Sequence, residues 1–300
     1  MDKKIYIAGV SGGPDSMYLL WKYQKKIRCV CHVNYNLRKS ADRDEKIVRN
    51  FCKLRKIMCK IIHVNDKMYK KYKEKYGNNF EYVARKIRYD FYNKICVKLG
   101  IKTVLLAHHL DDFLETCIMQ EQQNKFRLYY GMHSKSKYED INILRPFLKA
   151  KMRKKQIQDL CIKEKIPFGI DETNFDTKYT RNKIRKQITD LDEKEYEKIL
   201  DKFLLFNQKH NLKYLKTINL FNKWKESNFC LNFYKVNIKK TSLEKSIIFE
   251  FLKNFNESKI SSLKIKSIID FLRLIKKGNK FRLAKNNYLI IDENKSLIFR

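Results

Sequence analysis

The sequence predicts an α/β protein with an open parallel sheet and helices on both faces, followed by a smaller helical domain with a C-terminal β-meander. Three observations support this prediction. The chain has 300 residues, of which 43% are hydrophobic, so it can bury a sizeable core. Its first two thirds alternate short β-branched runs with longer helical patterns, as parallel βαβ units do. After residue 190 the chain has one glycine and no proline, and helical patterns dominate.

The individual elements follow from local patterns. Five runs have the composition of strands: 5–10, 28–33, 60–64, 102–107 and 141–144. Four runs between them have helical periodicity: 17–26, 42–56, 81–99 and 110–123. Capping signals agree with these limits, because Ser40 stands before an acid-rich first turn and Gly100 directly follows the third helix.

A change in composition near residue 190 predicts a second domain over 191–300. Amphipathic helices are predicted over 192–214 and 243–255. The stretch 280–299 alternates apolar and polar residues around Asn286-Asn287 and Asn294-Lys295, which predicts a small β-meander.

Charge gives the first indication of a partner. The chain carries 67 Lys and Arg against 33 Asp and Glu, a formal net charge of +34. Such a surplus attracts polyanions, so a nucleic acid is the expected partner. The final third is the more basic per residue, which favours binding of an RNA backbone there. A compositional bias toward Lys, Ile and Asn would give the same counts and stays open as the alternative.

No run approaches the ~20 apolar residues that a membrane span needs, and the first residues lack the pattern of an export signal. We therefore expect a cytoplasmic protein with no membrane contact. The eight cysteines include no C-x-x-C pair, so no paired set for zinc or an iron–sulfur cluster is expected. Reduced and mostly buried thiols are the expected state.

A glycine-rich segment, Ser11-Gly12-Gly13-Pro14-Asp15-Ser16, follows the first strand. Ligands bind beyond the carboxyl ends of parallel strands, so this position is informative. Two glycines let backbone N–H groups approach an anion, and the following helix adds its positive N-terminus. The spacing matches neither the P-loop nor the Rossmann fingerprint. We expect a phosphate-binding loop of another kind, with a merely tight turn as the alternative.

Acidic residues follow the fourth strand. Asp111, Asp112 and Glu115 are three and four residues apart, so a helix holds them close together at its first turn. Clustered carboxylates suit Mg²⁺ or an amine substrate. Acids that merely cap the helix, or a zinc site with His108 and His109, are the alternatives.

Arginines form two further groups. Arg85 and Arg88 share one helical face with Glu81, which can steady Arg85 by an i,i+4 pair, and their guanidinium groups can clamp phosphates. A plain surface ion-pair network is the alternative. Arg181 and Arg185 end a segment of turn-forming residues that begins at 171, and the local pattern alone predicts a capped loop there.

The loop is similar to the S-G-G-x-D-S loop of the ATP-pyrophosphatase (PP-loop) enzymes. Together with A-H-H-L-D-D-F-L-E-T, E-Y-V-A-R-K-I-R-Y, L-R-P-F and the 171–185 segment, it resembles the tRNA(Ile)-lysidine synthase family over residues 5–188. Tyr35 and Asn36 depart from the family's His-Gly, although Asn tolerates a left-handed backbone. Residues 122–127 replace a glycine-rich stretch. The resemblance implies the adenine nucleotide α-hydrolase-like fold.

The resemblance also implies domains and an activity. Residues 1–190 would be the PP-loop ATP-binding catalytic domain, and 191–300 a basic helical and β region that binds tRNA. ATP, as substrate, and Mg²⁺ would serve the ligation of L-lysine to C2 of the wobble cytidine in a tRNA(Ile) with a CAU anticodon. The enzyme would be a ligase that forms adenylated tRNA and releases AMP and PPi. A homodimer is one possible assembly.

Site residues are implied by the same resemblance. ATP would be bound by Ser11, Gly12, Gly13, Pro14, Asp15 and Ser16, with Mg²⁺ on Asp15. The catalytic residues would be Asp15, Arg85, Arg88, Asp111, Asp112, Glu115 and Arg181. Lysine would be bound among Asp111, Asp112 and Glu115, and which of these acids instead binds the metal stays open. Arg38, Arg181 and Arg185 would contact tRNA.

Other functions remain open from the sequence. A PP-loop tRNA thiolase is the alternative enzyme, but Cys29 or Cys31 would have to carry sulfur without the usual pairing. A non-catalytic RNA-binding protein could keep the same fold and charge. A PP-loop enzyme that forms amides on small metabolites is less consistent with the basic final third.

Overall fold

The structure is a computed structural model that describes residues 5–37, 40–123, 127–170, 180–239, 242–255, 261–274, 280–284 and 287–300. The chain forms two compact units. The first extends to Gln122 and resumes over Gly131–Glu193, and the second comprises Gln123–Tyr130 and Lys194–Arg300. In the described ranges, no helix combines the length and the apolar character that crossing a membrane requires.

The first unit has the predicted fold class. In chain order its elements are β1 (Tyr6–Gly9), α1 (Pro14–Tyr23), β2 (Ile27–Asn34), α2 (Ser40–Leu54), β3 (Met58–His63), α3 (Asp66–Tyr76), α4 (Phe80–Leu99), β4 (Thr103–Leu105), α5 (Leu110–Gln122), β5 (Lys135–Tyr138), β6 (Ile141–Leu144), α6 (Pro146–Lys149), α7 (Lys154–Lys163) and α8 (Thr180–Asp190). The five predicted strands correspond to β1, β2, β3, β4 and β6, and the four predicted helices to α1, α2, α4 and α5.

The strands form one sheet in the order β3-β2-β1-β4-β6-β5. β1 pairs in parallel with β2 on one side and with β4 on the other, and β5 pairs antiparallel with β6 at the edge. The strand order reverses between β1 and β4, and such a switch point opens a crevice beyond the C-terminal ends of the two strands. The loops that follow Gly9 and Leu105 meet there.

Helices cover both faces of the sheet, because alternate residues of each central strand point to opposite sides. Ala8 and Val30 pack in a core formed with α1, α2 and α7. Ile7 and Cys29, their neighbours along the strands, pack in a second core formed with α4. Both faces of the sheet are therefore buried, which holds the C-terminal ends of the strands in fixed positions.

Five elements of this unit, α3, β5, α6, α7 and α8, were not among the predicted ones, and α8 begins at Thr180 inside the segment that was expected to be a loop. α3 buries none of its residues and is capped by Asn65, whose side-chain oxygen accepts a hydrogen bond from the Met68 amide at 2.9 Å. β5 and α6 span four residues each and are too short to show a hydrophobic period, and α7 buries only Ile157 and Cys161. The sequence pattern therefore did not reveal them.

The second unit contains α9 (Glu193–Glu226), α10 (Leu231–Asn237), α11 (Ser242–Asn254), α12 (Ser262–Leu274), β7 (Lys280–Arg282), β8 (Tyr288–Ile291) and β9 (Leu297–Phe299). Its core surrounds Trp224, which is fully buried and donates its indole hydrogen to the Cys230 carbonyl at 3.0 Å. The strands form the predicted antiparallel meander, with Lys295 in the left-handed region at one turn. Asn286, expected at the other turn, lies outside the described residues.

Candidate active site

The glycine-rich loop between β1 and α1 folds around the hydroxyl of Ser16. Ser16 Oγ accepts hydrogen bonds from the amides of Ser11 at 3.1 Å and Gly12 at 3.2 Å. Gly12 has a φ of 94°, and a Cβ there would lie 2.7 Å from the Cβ of Asp44. The backbone conformation and the close approach of Asp44 therefore both require glycine at this position.

Gly169, in the segment that follows α7, contacts the glycine-rich loop. The amide of Gly169 donates a hydrogen bond to the carbonyl of Gly12 at 2.9 Å. A Cβ on Gly169 would clash with the carboxylate of Asp44, which is 4% exposed. Asp44 therefore packs against both glycines and fixes the distance between the loop and the chain that follows α7.

The N-terminus of α1 is open toward the loop. Pro14 stands at its start, and Gly13 before it makes no side-chain capping bond. The first amides of a helix have no acceptor within the helix, so those of Asp15 and Ser16 are donors available to a ligand. Together with the helix dipole, these donors make the loop suitable for an anion such as pyrophosphate.

A cavity of about 230 Å³ lies beyond the ends of β1 and β4. It is lined by segments that are distant in sequence, including Ser11, Gly13, Asp15, Ser16, Tyr35, Arg85, Arg88, His108 and Asp112. The structure thus brings together the loop, the arginine face of α4 and the start of α5. Seven of these nine residues, all but Tyr35 and His108, are site residues that the sequence predicts.

The two arginines of α4 are differently placed. The Arg85 guanidinium lies 4.5 Å from the centre of the Tyr89 ring. Arg88 has a buried Nε with no hydrogen-bond partner among the described residues. Glu81, which helical spacing placed beside Arg85, lies 3.9 Å from Arg181 Nη1 instead. Two guanidinium groups therefore reach the cavity wall, which suits binding of phosphate oxygens.

His109 lies among three carboxylates. Its Nε2 is 3.7 Å from Asp15 Oδ2 and 3.5 Å from Asp112 Oδ2, and its Nδ1 is 3.4 Å from Asp111 Oδ2. Burial lowers the pKa of this imidazole, but the carboxylates outweigh burial and raise the pKa to about 10. His109 is therefore a buried cation at neutral pH. The sequence suggests the histidines only as zinc ligands, but among the described residues no three His, Cys, Asp or Glu side chains are arranged so that they could hold a metal ion.

His108 has the opposite character. Its burial, together with the charges of Arg145, Arg85 and Arg88, holds its pKa well below the usual value. It therefore lines the cavity as a neutral imidazole.

The acids of α5 separate into different environments. Asp111 Oδ2 accepts a hydrogen bond from the Lys154 amide at 2.7 Å, which ties α5 to the start of α7. Burial raises the pKa of Asp111, but His109 and the Lys154 amide outweigh it and the pKa is lowered. Asp112 Oδ2 accepts from the His109 amide at 3.0 Å. Of Asp111, Asp112 and Glu115, Asp112 is the one that lines the cavity.

Glu115 is 2% exposed and lies between two arginines of α8. Arg181 Nε binds one of its carboxylate oxygens, and Arg185 Nε binds the other at 2.7 Å. The predicted acidic helix and the predicted arginine segment therefore meet through this buried carboxylate.

Other predicted positions have mixed outcomes. Asn36 adopts a φ of 53°, so the left-handed turn expected there is present. Tyr35 donates its hydroxyl to the Ala84 carbonyl at 2.8 Å. Gly131 also has positive φ, and a Cβ on it would clash with the ring of Phe113. Arg38, residues 124–126 and the 171–179 part of the arginine segment lie outside the described residues.

Comparison with known proteins gives matches over the first unit and over nearly the whole chain. A family model for the PP-loop domain matches residues 1–191. The tRNA(Ile)-lysidine synthase of Malacoplasma penetrans is 38% identical over 301 residues, which covers 99% of each chain. That of Mycoplasma pneumoniae is 36% identical over 306 residues and covers 100% of both chains.

The loop, the crevice and the matched domain define a PP-loop ATP-binding enzyme. Within that class, the chain belongs to the tRNA(Ile)-lysidine synthase family. The resemblance stated from the sequence is confirmed. The expected activity, ATP-dependent formation of lysidine on tRNA(Ile) by a ligase, is confirmed with it.

A solved structure of a U34-tRNA thiolase from Methanococcus maripaludis, with its [4Fe-4S] cluster, shares the fold. It has a TM-score of 0.55 and 17% identity, and the match covers 69% of this chain and 72% of that one. This likeness concerns the fold alone. In the present chain Cys29 and Cys31 are both fully buried in the sheet, and burial raises the pKa of the Cys117 and Cys161 thiols. The thiolase alternative is not favoured.

Proposed function

We propose that this chain joins L-lysine to C2 of the wobble cytidine in a tRNA(Ile) with a CAU anticodon, in two steps at the cavity of about 230 Å³. One observation carries the proposal. The same cavity is lined by the anion-binding loop, by arginines and by an acid of α5. Transfer of an adenylyl group needs the first two, and binding of an ammonium group needs the third.

In the first step the C2 oxygen of cytidine attacks the α-phosphorus of ATP. The bond from this phosphorus to the oxygen that bridges to the β-phosphate breaks, and pyrophosphate leaves. The amides of Asp15 and Ser16 donate hydrogen bonds to the leaving pyrophosphate and stabilise the negative charge that develops on it. Arg85 and Arg88 bind phosphate oxygens and stabilise the same charge.

Mg²⁺ fits the carboxylate of Asp15. Asp15 Oδ1 is buried without a hydrogen-bond partner among the described residues, and Mg²⁺ is commonly held by one or two carboxylates together with substrate phosphates. When bound there, the ion would neutralise charge on the leaving pyrophosphate. Asp15 would hold the ion, and its Oδ2 lies 3.7 Å from His109 Nε2, which helps to keep His109 in place.

In the second step the side-chain amine of lysine attacks C2, and AMP leaves with the oxygen. A free lysine amine has a pKa of about 10.4, so it arrives as an ammonium ion and must lose a proton before it attacks. Asp112 binds this ammonium and accepts the proton. Asp111 and Glu115 act through other groups, since one holds the start of α7 and the other holds two arginines.

Arg181 and Arg185 contact the phosphates of the adenylate or of the tRNA, in the orientation set by Glu115. Arg38 contributes to tRNA binding.

Residues 1–190 form the catalytic domain, and 191–300 supply the tRNA-binding surface. Exposed lysines recur every seven residues on one side of α9, at Lys209, Lys216 and Lys223. The enzyme works in the cytoplasm, and a homodimer is one assembly that is compatible with the proposal.

The direct test is mass spectrometry of a nuclease digest. A CAU-anticodon tRNA(Ile) transcript is incubated with ATP, Mg²⁺ and lysine, and the wobble nucleoside is expected to gain the mass of lysine less water. Without lysine, release of pyrophosphate should still occur. A transcript with uridine at the wobble position is the control. Incorporation of sulfur, or tight binding without any modification, would contradict the proposal.

A further inference from the structure

A second cavity adjoins the first within the same unit. It has a volume of about 480 Å³ and shares Tyr35, Arg85 and Arg88 with the ATP cavity. Its remaining lining residues are Asn79, Phe80, Glu81, Tyr82, Ala84 and Arg181. This volume falls in the range of roughly 300–1,000 Å³ found for small-molecule sites. The two proposed steps make no use of Phe80 or Tyr82.

The ring of Phe80 is exposed yet held in place. It is 43% exposed, and its centre lies 6.3 Å from Tyr35, edge to face, and 5.7 Å from Tyr69. Tyr35 is itself fixed through its hydrogen bond to Ala84. A ring supported in this way can stack on a planar ligand with little further loss of side-chain entropy.

The charge of the cavity is positive. Arg85, Arg88 and Arg181 line it, against the single carboxylate of Glu81. Arg88 brings a donor that is unpaired in the described residues. Exposed aromatic rings next to arginines are the means by which proteins bind single-stranded nucleotides, since the base stacks and the phosphate pairs with a guanidinium.

We propose that this cavity, which we call the Phe80 cavity, binds the wobble nucleotide turned out of the anticodon loop, with cytosine stacked on Phe80. Its phosphate is bound by Arg181. The inference rests on the proposed function, and it assigns the subsite in which the base is held. The side chains shared by the two cavities place the base next to ATP, as attack on the α-phosphorus requires.

The test is a double-mutant cycle between protein and RNA. Phe80→Leu removes the aromatic face and keeps an apolar side chain. Removal of the wobble base from the transcript should weaken binding to the unaltered enzyme about tenfold, because stacking contributes roughly 1–3 kcal/mol per base. In Phe80→Leu the same removal should change the dissociation constant less than about twofold. If the effects of Phe80→Leu and of base removal on the free energy of binding are additive, the inference is overturned.

Matched variants complete the experiment. Phe80→Tyr should restore binding, and Tyr23→Leu, at the C-terminal end of α1, should show the unaltered enzyme's response to the abasic transcript. The KM for ATP should stay unchanged in all of them, which reports on intact folding. A raised KM for lysine without a change in RNA affinity would mean that the cavity holds lysine instead. If no lysidine forms at all, the proposed function is contradicted. If lysidine forms but the effects of Phe80→Leu and of base removal are additive, this inference alone is contradicted.

Discussion

Arg185 Nε donates a hydrogen bond to Glu115 Oε2 at 2.7 Å across 70 residues of sequence. The other oxygen of the buried carboxylate is bound by Arg181. Because both oxygens of Glu115 are bound by guanidinium groups, Glu115 orients the two arginines. We expect Glu115 to affect the reaction by holding them in position.

Glu115→Gln tests this role. The amide would put an N–H group against a guanidinium, so both arginines should lose their orientation. We expect release of pyrophosphate in the absence of lysine to slow by about tenfold to 100-fold. Glu164→Gln, an exposed acid at the end of α7, is the control. Normal adenylation with a raised KM for lysine would show instead that Glu115 binds the amino acid directly.

Gly12 and Gly13 should respond differently to alanine. Gly12→Ala places a Cβ at positive φ and against Asp44, so we expect the free energy of unfolding to fall by about 1–3 kcal/mol. Gly13 has extended backbone, and the nearest atom to its added Cβ is 3.7 Å away. Gly13→Ala should therefore keep its stability and raise the KM for ATP, because the methyl group enters the cavity. Chemical denaturation and steady-state kinetics measure the two effects, and equal loss of stability would contradict the geometry.

Asp15→Asn should slow adenylation by roughly 100-fold, the order of effect seen when one group that stabilises developing charge is removed. It should also raise the Mg²⁺ concentration needed for half-maximal rate. Binding of tRNA should change little, since Asp15 lies at the ATP cavity. Asp66→Asn, an exposed acid in the first turn of α3, is the matched control. Parallel loss of adenylation and tRNA affinity would show that the loop is needed for folding rather than chemistry.

Glu45 gives a prediction for pH. Its carboxylate accepts hydrogen bonds from Asn34 at 3.0 Å and Arg49 at 2.8 Å and pairs with His63 at 2.8 Å. Burial raises the pKa of Glu45, but these partners outweigh it and lower the pKa to about 2. A lowered folded pKa stabilises the protein above the unfolded value of about 4.3, and this contribution is lost as the pH falls toward 2.

The measurement is the urea midpoint at several pH values for the unaltered chain and for Glu45→Gln. The gap between them should be largest near neutral pH and should shrink below about pH 4. Glu74→Gln, which alters an exposed acid of α3, should follow the unaltered chain throughout. A gap that does not depend on pH would exclude this linkage.

The lysines of α9 test the assignment of the second unit. Lys209, Lys216 and Lys223 are exposed, and joint replacement by glutamine should weaken tRNA binding while leaving the KM for ATP unchanged. The slope of log affinity against log salt concentration should become shallower by about 2, since each phosphate contact contributes roughly 0.7–0.9. Lys25→Gln with Lys26→Gln, beyond the end of α1, is the control. An unchanged slope in the triple variant would show that these lysines of α9 do not contact RNA phosphates.

The sequence was sufficient for those features that depend on local signals. A glycine pair between a strand and a helix predicted the anion-binding loop, and hydrophobic periodicity predicted the sheet and its two helical layers. The surroundings of His109 were not predictable, because Asp15 reaches it only through the pairing of β1 with β4. The Phe80 cavity was also not predictable, since the Phe80 ring is supported by Tyr35 and Tyr69, side chains from two segments distant from it in sequence.

Asp44 lies against Gly12 and Gly169, two positions 157 residues apart in the chain, where an added Cβ would collide with it. A library that randomises either glycine should accordingly return glycine under selection for growth. Libraries in which Asp44 is shortened to Ala or Gly at the same time have room for alanine at position 169. Substitutions in the glycine-rich loop and in the segment that follows α7 should therefore depend on each other, because both segments contact the buried side chain of Asp44.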